Sequence, residues 1–459
     1  MLFRSYDQHW LERFAAALAA QPWIELRTPA EAMAHHAPRG LAYLPTASYH
    51  EMEEWSLPPA AQERYQRAVE ILTPAFGEAA RDLLRGGHWR NFSARYPEAN
   101  RLHKRALHAS HRLWEQPAEE DERWREARTR LWRAQCNCPY WHGVFGGLYL
   151  PHLRAALYRE LIAVERYLAP DTPHLQRADL DLDGVPDLLL ETPRWAAWVS
   201  LRGGRMWAFD DRPGLCNYGD TLARRPEAYH RRLREAEQGA AEGRSIHDAL
   251  RVKEPGLAAL AEGHDPHGRD SFVDRWSEGA LTHEWAETRF EPVGAGEVGA
   301  TAFTLASAEG EAPAIAKRYA VASDGMLEVD YTLSSGLSRL GKLVVELNLG
   351  LHVPDAADRY VEVEGERATP PHFAATARHP AVSRVAFVDE WADRRLDIWV
   401  DRKAALERAP IETVSLSEAG AERVFQGVEV RFVLAVALER GKPWRVRFRL
   451  APGRRGRPA

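Results

Sequence analysis

The spacing of hydrophobic residues changes near residue 170, and this change constrains the fold more than any other feature of the sequence. Before it, hydrophobic residues recur every three or four positions, in runs such as RYQRAVEIL and LPHLRAALYRELIAVERYL. After it, short runs rich in β-branched and aromatic residues, such as MLEVDYTL and WRVRFRL, are separated by Gly, Pro and Asp. The first spacing is typical of amphipathic helices and the second of β-strands. The sequence therefore predicts an α+β protein with several domains, in which helices precede a large antiparallel β-sandwich.

Residues 1–55 are interpreted as the remnant of an α/β layer. Residues 1–20 have the hydrophobic spacing of a helix, and the run at 41–45 favours a short extended piece. Thr28 is followed by a proline and then by Glu31, which is the signature of a capping box, so a second helix is predicted to begin there. These elements alternate as they do in an α/β protein.

The rest of the chain divides at the change of spacing. Residues 56–168 are predicted to form a helical bundle, because several amphipathic runs follow one another with short breaks. Residues 169–459 are predicted to form the β-sandwich, interrupted by a helical insertion at roughly 226–262. A chain of 459 residues, 45% of them hydrophobic, is long enough for more than one hydrophobic core.

Composition excludes several classes of function. The net charge of −5 gives no electrostatic basis for binding nucleic acid. No apolar stretch is long enough to span a membrane, and the acidic, amphipathic N-terminus is unlike a signal peptide, so a cytoplasmic location is the default. Three cysteines do not form a disulfide framework, and Cys136 and Cys138 are expected to be buried free thiols. Among the 16 tryptophans, most are expected in hydrophobic cores and the rest where flat ligands such as sugar rings bind.

The sequence YWHGVFGG, residues 140–147, is the strongest candidate for a ligand-binding loop. Trp141 offers a flat face on which a sugar can stack, and His142 offers a hydrogen-bond partner for a hydroxyl group. Its three glycines allow tight turns and the close approach of a ligand or a helix. The alternative is a structural junction between two helices.

The sequence DLDLDGVPD, residues 179–187, predicts a calcium-binding loop. Aspartates occupy loop positions one, three, five and nine, with glycine at position six: Asp179, Asp181, Asp183 and Asp187. Calcium prefers several oxygen ligands, and the glycine permits the sharp bend. The loop lacks the distal glutamate of an EF-hand, and the alternative is an aspartate-rich turn that binds no metal. A structural Ca²⁺ is the one cofactor predicted, with no organic cofactor.

Five long segments of the chain are ordered motifs: LPTASYHEMEEWSLP, NFSARYPEANRLHKR, YWHGVFGGLYLPHLR, SIHDALRVKEPGL and PIETVSLSEAGAERVFQG. Together they resemble glycoside hydrolase family 57, in its α-amylase/4-α-glucanotransferase branch. In that family a (β/α)₇ barrel precedes these segments and carries the glutamate nucleophile and the aspartate acid/base, whose motifs this chain does not contain. The stretch HWLERF is similar to the helix that follows the acid/base. The resemblance therefore implies that residues 1–55 are the tail of that barrel, followed by the central helical and C-terminal β-sandwich domains.

The resemblance also implies where substrate binds. Trp141 and His142 are expected to line the substrate side of the active-site cleft, with Tyr49, Glu51 and Trp55 near its rim. A retaining glycosidase needs two carboxyl groups about 5 Å apart, and the neighbouring acids around Glu51 point in different directions on a helix or loop. No catalytic residue is therefore assigned to this chain.

Three functions follow from these observations. The first is the C-terminal portion of a retaining enzyme of carbohydrate metabolism that acts on α-1,4-glucan or maltodextrin, supplies substrate-side and structural elements, and is inactive without a separately encoded catalytic barrel. The second is a stand-alone, non-catalytic α-glucan-binding protein. The third is an independent activity of the β-sandwich, as in sugar mutarotases, although no His/Glu arrangement in the sequence argues for it.

Overall fold

The structure is a computed structural model that describes residues 9–43, 48–116, 121–143, 145–237, 252–293, 301–417 and 420–454. Residues 9–43 form one compact unit, and the residues from Ser48 onward form another. The stretch 245–251, which belongs to one of the segments that carry the family resemblance, lies outside the described residues.

The first unit contains two helices, α1 (Trp10–Ala19) and α2 (Pro29–His35). The predicted capping box is present, because Thr28 Oγ1 accepts a hydrogen bond from the Glu31 backbone N–H at 3.3 Å and Glu31 accepts one from the Thr28 N–H at 2.7 Å. The extended piece predicted at 41–45 does not form a strand in its described part, and residues 9–43 contain no strand. Since a barrel layer is made by pairing strands, the origin of this unit as the tail of a barrel stays a prediction.

The second unit begins with helices, as the hydrophobic spacing predicts. They are α3 (His50–Trp55), α4 (Pro59–Phe76), α5 (Trp89–Arg95), α6 (Pro97–Trp114), α7 (Glu122–Arg133) and α8 (Pro151–Tyr167). The buried face of α6 repeats at helical spacing and includes Leu102, Ala109 and Leu113. These residues share a hydrophobic cluster with Leu131 of α7 and Leu161 of α8, so the three helices enclose a common core. No helix in the described part of the chain is long and apolar enough to cross a membrane.

An antiparallel sheet of five strands follows the helices. Its strands pair in sequence order: β1 (His174–Ala178), β2 (Asp187–Glu191), β3 (Trp195–Ser200), β4 (Met206–Asp211) and β5 (Cys216–Asn217). Strands β2, β3 and β4 are buried on both faces, which explains why consecutive hydrophobic residues occur at 188–190.

A second antiparallel sheet contains the remaining described strands, with 13 strands in all. They are β6 (Val273–Glu278), β7 (Leu281–Glu284), β8 (Glu291–Pro292), β9 (Ala302–Ser307), β10 (Ala314–Val321), β11 (Leu327–Ser334), β12 (Arg339–Leu349), β13 (Arg359–Val363), β14 (Glu366–Arg367), β15 (Ala377–Asp389), β16 (Arg394–Ser417), β17 (Gly420–Leu438) and β18 (Trp444–Gly453). The central strands pair in the order β6-β12-β17-β16-β18-β11. Apart from the consecutive strands β16 and β17, neighbours in this order are distant in sequence, so the sheet depends on long-range pairing.

The largest hydrophobic cluster joins the two sheets. It contains Trp195 and Phe209 of the smaller sheet together with Tyr319, Leu347 and Phe432 of the larger one. The predicted combination of helices with antiparallel sheets is thereby confirmed, while the closure of the sheets into a sandwich stays a prediction.

The predicted helical insertion is present in its described part. It contains α9 (Tyr229–Glu237) and α10 (Leu257–Glu262), which lie within the predicted range of 226–262. Leu233 of α9 and Leu257 of α10 pack in one hydrophobic cluster with Val414 of β16. The insertion therefore lies against the large sheet.

Candidate functional site

The Trp141–His142 segment is a loop that connects two short 3₁₀ turns, Cys138–Tyr140 and Gly147–Tyr149, just before α8. The Leu148 N–H donates a hydrogen bond to the Trp141 carbonyl at 2.8 Å, which closes the loop on itself. Gly147 has a φ of +46°, and a Cβ there would overlap the Trp141 carbonyl oxygen. A glycine is therefore required at this position, both for its backbone conformation and for this close approach.

Arg154, in the first turn of α8, connects the loop to Asp220 and to strand β17 by hydrogen bonds. Its guanidinium donates to the Leu148 carbonyl at 2.6 Å, to Asp220 at 2.7 Å and to the Gln426 side chain at 2.9 Å. Gln426, on β17, in turn donates to the Tyr149 carbonyl at 2.8 Å. The backbone of the loop is thus held by side chains that are up to 277 positions away in the sequence.

The residues that were predicted to line the substrate side come together in space. They are Tyr49, Glu51, Trp55, Trp141 and His142, and we name them the Trp141 cluster. Helix α3 carries Glu51 and Trp55, and Tyr49 immediately precedes it. The Tyr49 ring meets the Trp141 ring edge-on at 5.7 Å, and the Trp55 ring meets the His142 ring edge-on at 4.8 Å. A Cβ on Gly143 would overlap a Glu51 carboxylate oxygen, so Glu51 lies directly against the loop.

Exposure differs sharply within the Trp141 cluster. Trp141 and Trp55 are each only 9% exposed and His142 is 1% exposed, whereas Tyr49 is 54% exposed and Glu51 is partly buried. The stacking surface that the cluster presents in this structure is therefore the Tyr49 ring, and Trp141 supports that ring from behind. Whether these residues bind substrate stays a prediction.

A buried polar network lies behind His142, and its acidic member is Glu227, just before α9. The Tyr149 hydroxyl donates to Glu227 at 2.6 Å, and the Tyr96 hydroxyl donates to the same carboxylate at 2.5 Å. Arg95 forms an ion pair with the other carboxylate oxygen. The Tyr96 oxygen also lies 3.1 Å from His142 Nε2. The Tyr96 hydroxyl donates its only proton to Glu227, so its oxygen can only accept in the contact with His142. His142 Nε2 therefore carries a hydrogen and donates it to Tyr96.

The environment of Glu227 keeps its carboxylate ionised. Burial by itself raises the pKa of Glu227, but attraction to His142 and Arg95 and the hydrogen bond from Tyr149 lower it to about 2. A carboxylate with such a low pKa is a poor general acid near neutral pH. Its chemical role here is structural, since it holds together the loop, α5 and the helical insertion.

Sequence reasoning missed this network. Glu227 lies in RRPEAYH, a stretch with no motif and no hydrophobic repeat that would single it out. Arg95, Tyr96 and Tyr149 lie within segments that carry the family resemblance, but nothing in their spacing shows that they share one carboxylate. Only the fold brings positions 95, 149 and 227 together.

The predicted calcium loop brings three of its four aspartates together. Asp179, Asp181 and Asp187 each offer a carboxylate oxygen within 4.8 Å of the others. Asp183 is not in this group; its carboxylate accepts a hydrogen bond from the Val185 N–H at 2.7 Å and lies 3.4 Å from an Arg202 nitrogen.

The three grouped carboxylates carry like charges at short range, and burial disfavours the charged form of two of them. Burial, together with the nearby Asp181 carboxylate, raises the pKa of Asp187 to about 7. Burial also raises the pKa of Asp181, against the attraction of Arg101. None of the described residues donates a hydrogen bond to Asp181 Oδ1, although that atom is buried. Clustered carboxylate oxygens with an unused acceptor fit a hard divalent cation such as Ca²⁺.

The cysteines differ from the expectation. Cys136 and Cys138 are exposed, so the prediction that they are buried thiols is wrong. They lie in the connection between α7 and the Trp141 loop, where the chain runs along the surface. Cys216, on β5, is buried.

Comparison with known proteins identifies relatives of this chain. A family model described as α-amylase/4-α-glucanotransferase, C-terminal, matches residues 179–448, and one described as the middle domain matches residues 87–168. α-Amylase 1 of Dictyoglomus thermophilum is 32% identical over 97% of this chain and 66% of its own length. A 4-α-glucanotransferase of Thermococcus kodakarensis is 33% identical over 97% of this chain and 65% of its own length. The chain therefore spans just under two thirds of the length of these relatives.

A solved structure matches across the same span. The crystal structure of a 4-α-glucanotransferase from Thermococcus litoralis aligns with 98% of this chain and 64% of that chain, with a TM-score of 0.70 and 27% sequence identity. The similarity therefore extends over both the helical region and the sheets.

Proposed function

Since the chain belongs to the α-amylase/4-α-glucanotransferase family, we propose that it forms the central and C-terminal part of a retaining enzyme that acts on α-1,4-glucans. This membership confirms the resemblance to glycoside hydrolase family 57. The proposal is supported above all by the Trp141 cluster, in which side chains from two distant segments converge on one loop.

The Trp141 cluster has the chemistry of a sugar-binding surface. Tyr49 presents an exposed ring, on which the apolar face of a glucose unit can stack. Glu51, beside Gly143, offers carboxylate oxygens that accept hydrogen bonds from sugar hydroxyls. Trp141 packs edge-on against the Tyr49 ring, and Trp55 packs edge-on against the His142 ring. The cluster therefore serves as the substrate side of a cleft.

The same cluster lacks the means to cleave a glycosidic bond. Retaining chemistry needs a nucleophile and an acid/base about 5 Å apart on either side of the bond. Glu227 is buried behind the aromatic rings and held ionised by Arg95, so it cannot pair with Glu51 in that role. We propose that both catalytic carboxylates come from a (β/α)₇ barrel, and that the chain alone neither hydrolyses nor transfers α-1,4-glucans.

The experiment is to incubate the purified chain with maltoheptaose, with and without a separately expressed barrel fragment of a relative, and to separate the products by chromatography. No change in chain length is expected for the chain alone, and redistribution is expected when the barrel is added. Tyr49→Ala should reduce that redistribution about tenfold through the lost stacking surface, whereas the matched variant Tyr49→Phe, which keeps the ring, should retain most of it.

Two outcomes would contradict this proposal. Redistribution by the chain alone, lost in Trp141→Ala, would show that the site is complete without a barrel. Binding of maltoheptaose with no redistribution in the presence of an active barrel would favour the alternative, a stand-alone α-glucan-binding protein.

We also propose that Asp179, Asp181 and Asp187 hold a structural Ca²⁺. The convergence of their oxygens and the unused Asp181 Oδ1 support this proposal. Calcium requires six to eight oxygen ligands, so backbone carbonyls and water would complete the site. The ion would fasten the loop between β1 and β2 and would neutralise the buried carboxylates.

A further inference from the structure

A large cleft opens between the helical region and the smaller sheet, on a different side of α5 from the Trp141 loop. Its volume is about 810 Å³. One wall of the cleft comes from helices α5 and α6 and includes Trp89, Arg90 and Lys104. The opposite wall includes Asp183 of the aspartate loop, Arg202 of the β3–β4 turn, and Glu287. Small-molecule sites have volumes of roughly 300–1,000 Å³, so this cleft is large enough for several sugar units.

We propose that this cleft binds a neutral oligosaccharide, in addition to the substrate site at the Trp141 cluster. Trp89 provides the apolar surface, because it lines the cleft and 40% of it is exposed. Its ring is held in place by the His103 ring, which meets it edge-on at 5.7 Å, and by the Arg90 guanidinium at 5.9 Å. A fixed, half-exposed indole at the side of a polar cleft is suited to stacking on a sugar ring.

The lining of the cleft contains five Arg or Lys and five Asp or Glu side chains, so its formal charge is balanced, which favours a neutral ligand over an anion. Arg101 donates to Asp270 at 2.6 Å, and Arg205 lies 3.5 Å from the same carboxylate. Arg202 lies 3.4 Å from Asp183. Because each of these arginines already faces a carboxylate, an anionic ligand would have to compete for them. The partly exposed pair of Arg202 and Asp183 presents a donor and an acceptor side by side, which is what a ligand rich in hydroxyl groups requires.

Helix α5 links the two sites. Trp89 and Ser93 line the cleft, whereas Phe92 lies 5.5 Å from the His142 ring and Arg95 binds Glu227 on the other side of the helix. The cleft therefore lies close to the Trp141 loop without sharing its residues. The choice of an α-1,4-glucan as the ligand rests on the proposed function, whereas the choice of a neutral sugar rests on the cleft itself.

The test is hydrogen–deuterium exchange and titration calorimetry of the full chain with maltoheptaose, cellohexaose and inorganic phosphate. Maltoheptaose should slow exchange in residues 89–104, and this protection should persist in Tyr49→Ala. Trp89→Ala and Arg202→Gln, one on each wall, should weaken the binding at this site about tenfold and abolish the protection. Trp391→Ala removes an indole that is 80% exposed and does not line the cleft, so it should leave the binding unchanged.

The outcomes separate this proposal from the proposed function. Maltoheptaose binding that is lost in Tyr49→Ala but unchanged in both cleft variants would overturn the cleft and leave the proposed function intact. Protection of residues 89–104 by cellohexaose instead of maltoheptaose would support the cleft and contradict the choice of α-1,4-glucan. Phosphate that binds in the cleft more tightly than either sugar would overturn the assignment to a neutral ligand.

Discussion

At the scale of single residues, Glu227 shows how a buried charge can position the loop that carries Trp141 and His142. Its carboxylate is surrounded by donors from Arg95 of α5, from Tyr96 between α5 and α6, and from Tyr149 in the 3₁₀ turn after His142. Removing a partner from a buried ion pair is costly because the remaining charge stays desolvated. The network therefore specifies one position for His142, and Trp141 follows because it is the adjacent residue.

We predict that Glu227→Gln destabilises the protein by about 3–5 kcal/mol near neutral pH, because Arg95 loses its buried counter-charge. The pKa of Glu227 is lowered from 4.5 to about 2 in the folded state, so the ionised carboxylate stabilises the fold above pH 4.5 and this contribution is lost as the pH falls towards 2. The size of the shift corresponds to roughly 3 kcal/mol. The measurement is the free energy of unfolding of the wild type and of Glu227→Gln, obtained by urea unfolding from pH 7 to pH 2.

The difference in the free energy of unfolding between wild type and Glu227→Gln should shrink across this acidic range. Glu262→Gln, which removes an exposed carboxylate in α10, is the control and should change the stability by less than about 1 kcal/mol. A difference between wild type and Glu227→Gln that stays constant down to pH 2 would show that Glu227 is not held ionised by its neighbours.

At the scale of elements, the aspartate loop between β1 and β2 is a turn whose backbone is held by hydrogen bonds and in which three carboxylates lie close together. Asp179 accepts hydrogen bonds from the N–H groups of Asp183 and Gly184, each at 3.0 Å, and Gly184 has a φ of +88°. The glycine at position six thus makes the bend for which the sequence motif predicts it. The buried carboxylates of Asp181 and Asp187 remain close to each other in this turn.

We predict that a calcium chelator lowers the melting temperature, because removing the cation restores the repulsion among the three carboxylates. Asp181→Ala should abolish this sensitivity, whereas Asp183→Ala should retain it, since Asp183 lies outside the group of three. Differential scanning calorimetry with and without chelator provides the comparison. Identical melting curves for the wild type in both conditions would contradict a calcium site.

At the scale of the whole molecule, the helices and the smaller sheet are joined by buried ion pairs. Arg105 of α6, which is 1% exposed, donates to Glu165 of α8 at 2.8 Å and to Asp210 of β4 at 2.7 Å. Arg154 makes a second connection, to Gln426 on the large sheet. These contacts cross the boundary between the predicted helical and β-domains, so the two regions should not unfold independently.

We therefore predict a single unfolding transition for the helices and the sheets, with equal calorimetric and van't Hoff enthalpies. Arg105→Met leaves two buried carboxylates without their cation, so it should lower the free energy of unfolding by about 3–5 kcal/mol. The protein should still unfold in a single transition. Arg133→Met, at an exposed position of α7, should change the stability by less than about 1 kcal/mol. Two separate transitions in the wild type, one followed by helix content and one by aromatic signals, would contradict this coupling.

Local patterns were sufficient to predict much of this protein. Helix or strand follows from the spacing of hydrophobic residues, because that spacing decides which face of an element is buried. The capping box at Thr28 and the bend at Gly184 are likewise local, since the interacting groups are within a few positions of each other. The family, too, was evident from the motifs around Trp141 and Tyr49.

Other features depend on contacts between residues far apart in the sequence, and only the tertiary structure decided them. Position 227 joins positions 95, 96 and 149 because the helical insertion folds back onto α5, and no spacing encodes that return. Trp141 is buried and Tyr49 is exposed because α3 covers the loop, although both residues have an aromatic ring on which a sugar can stack. A sequence names the side chains that can bind a ligand, but burial is a property of the packed chain, and it is burial that determines which of them reach it.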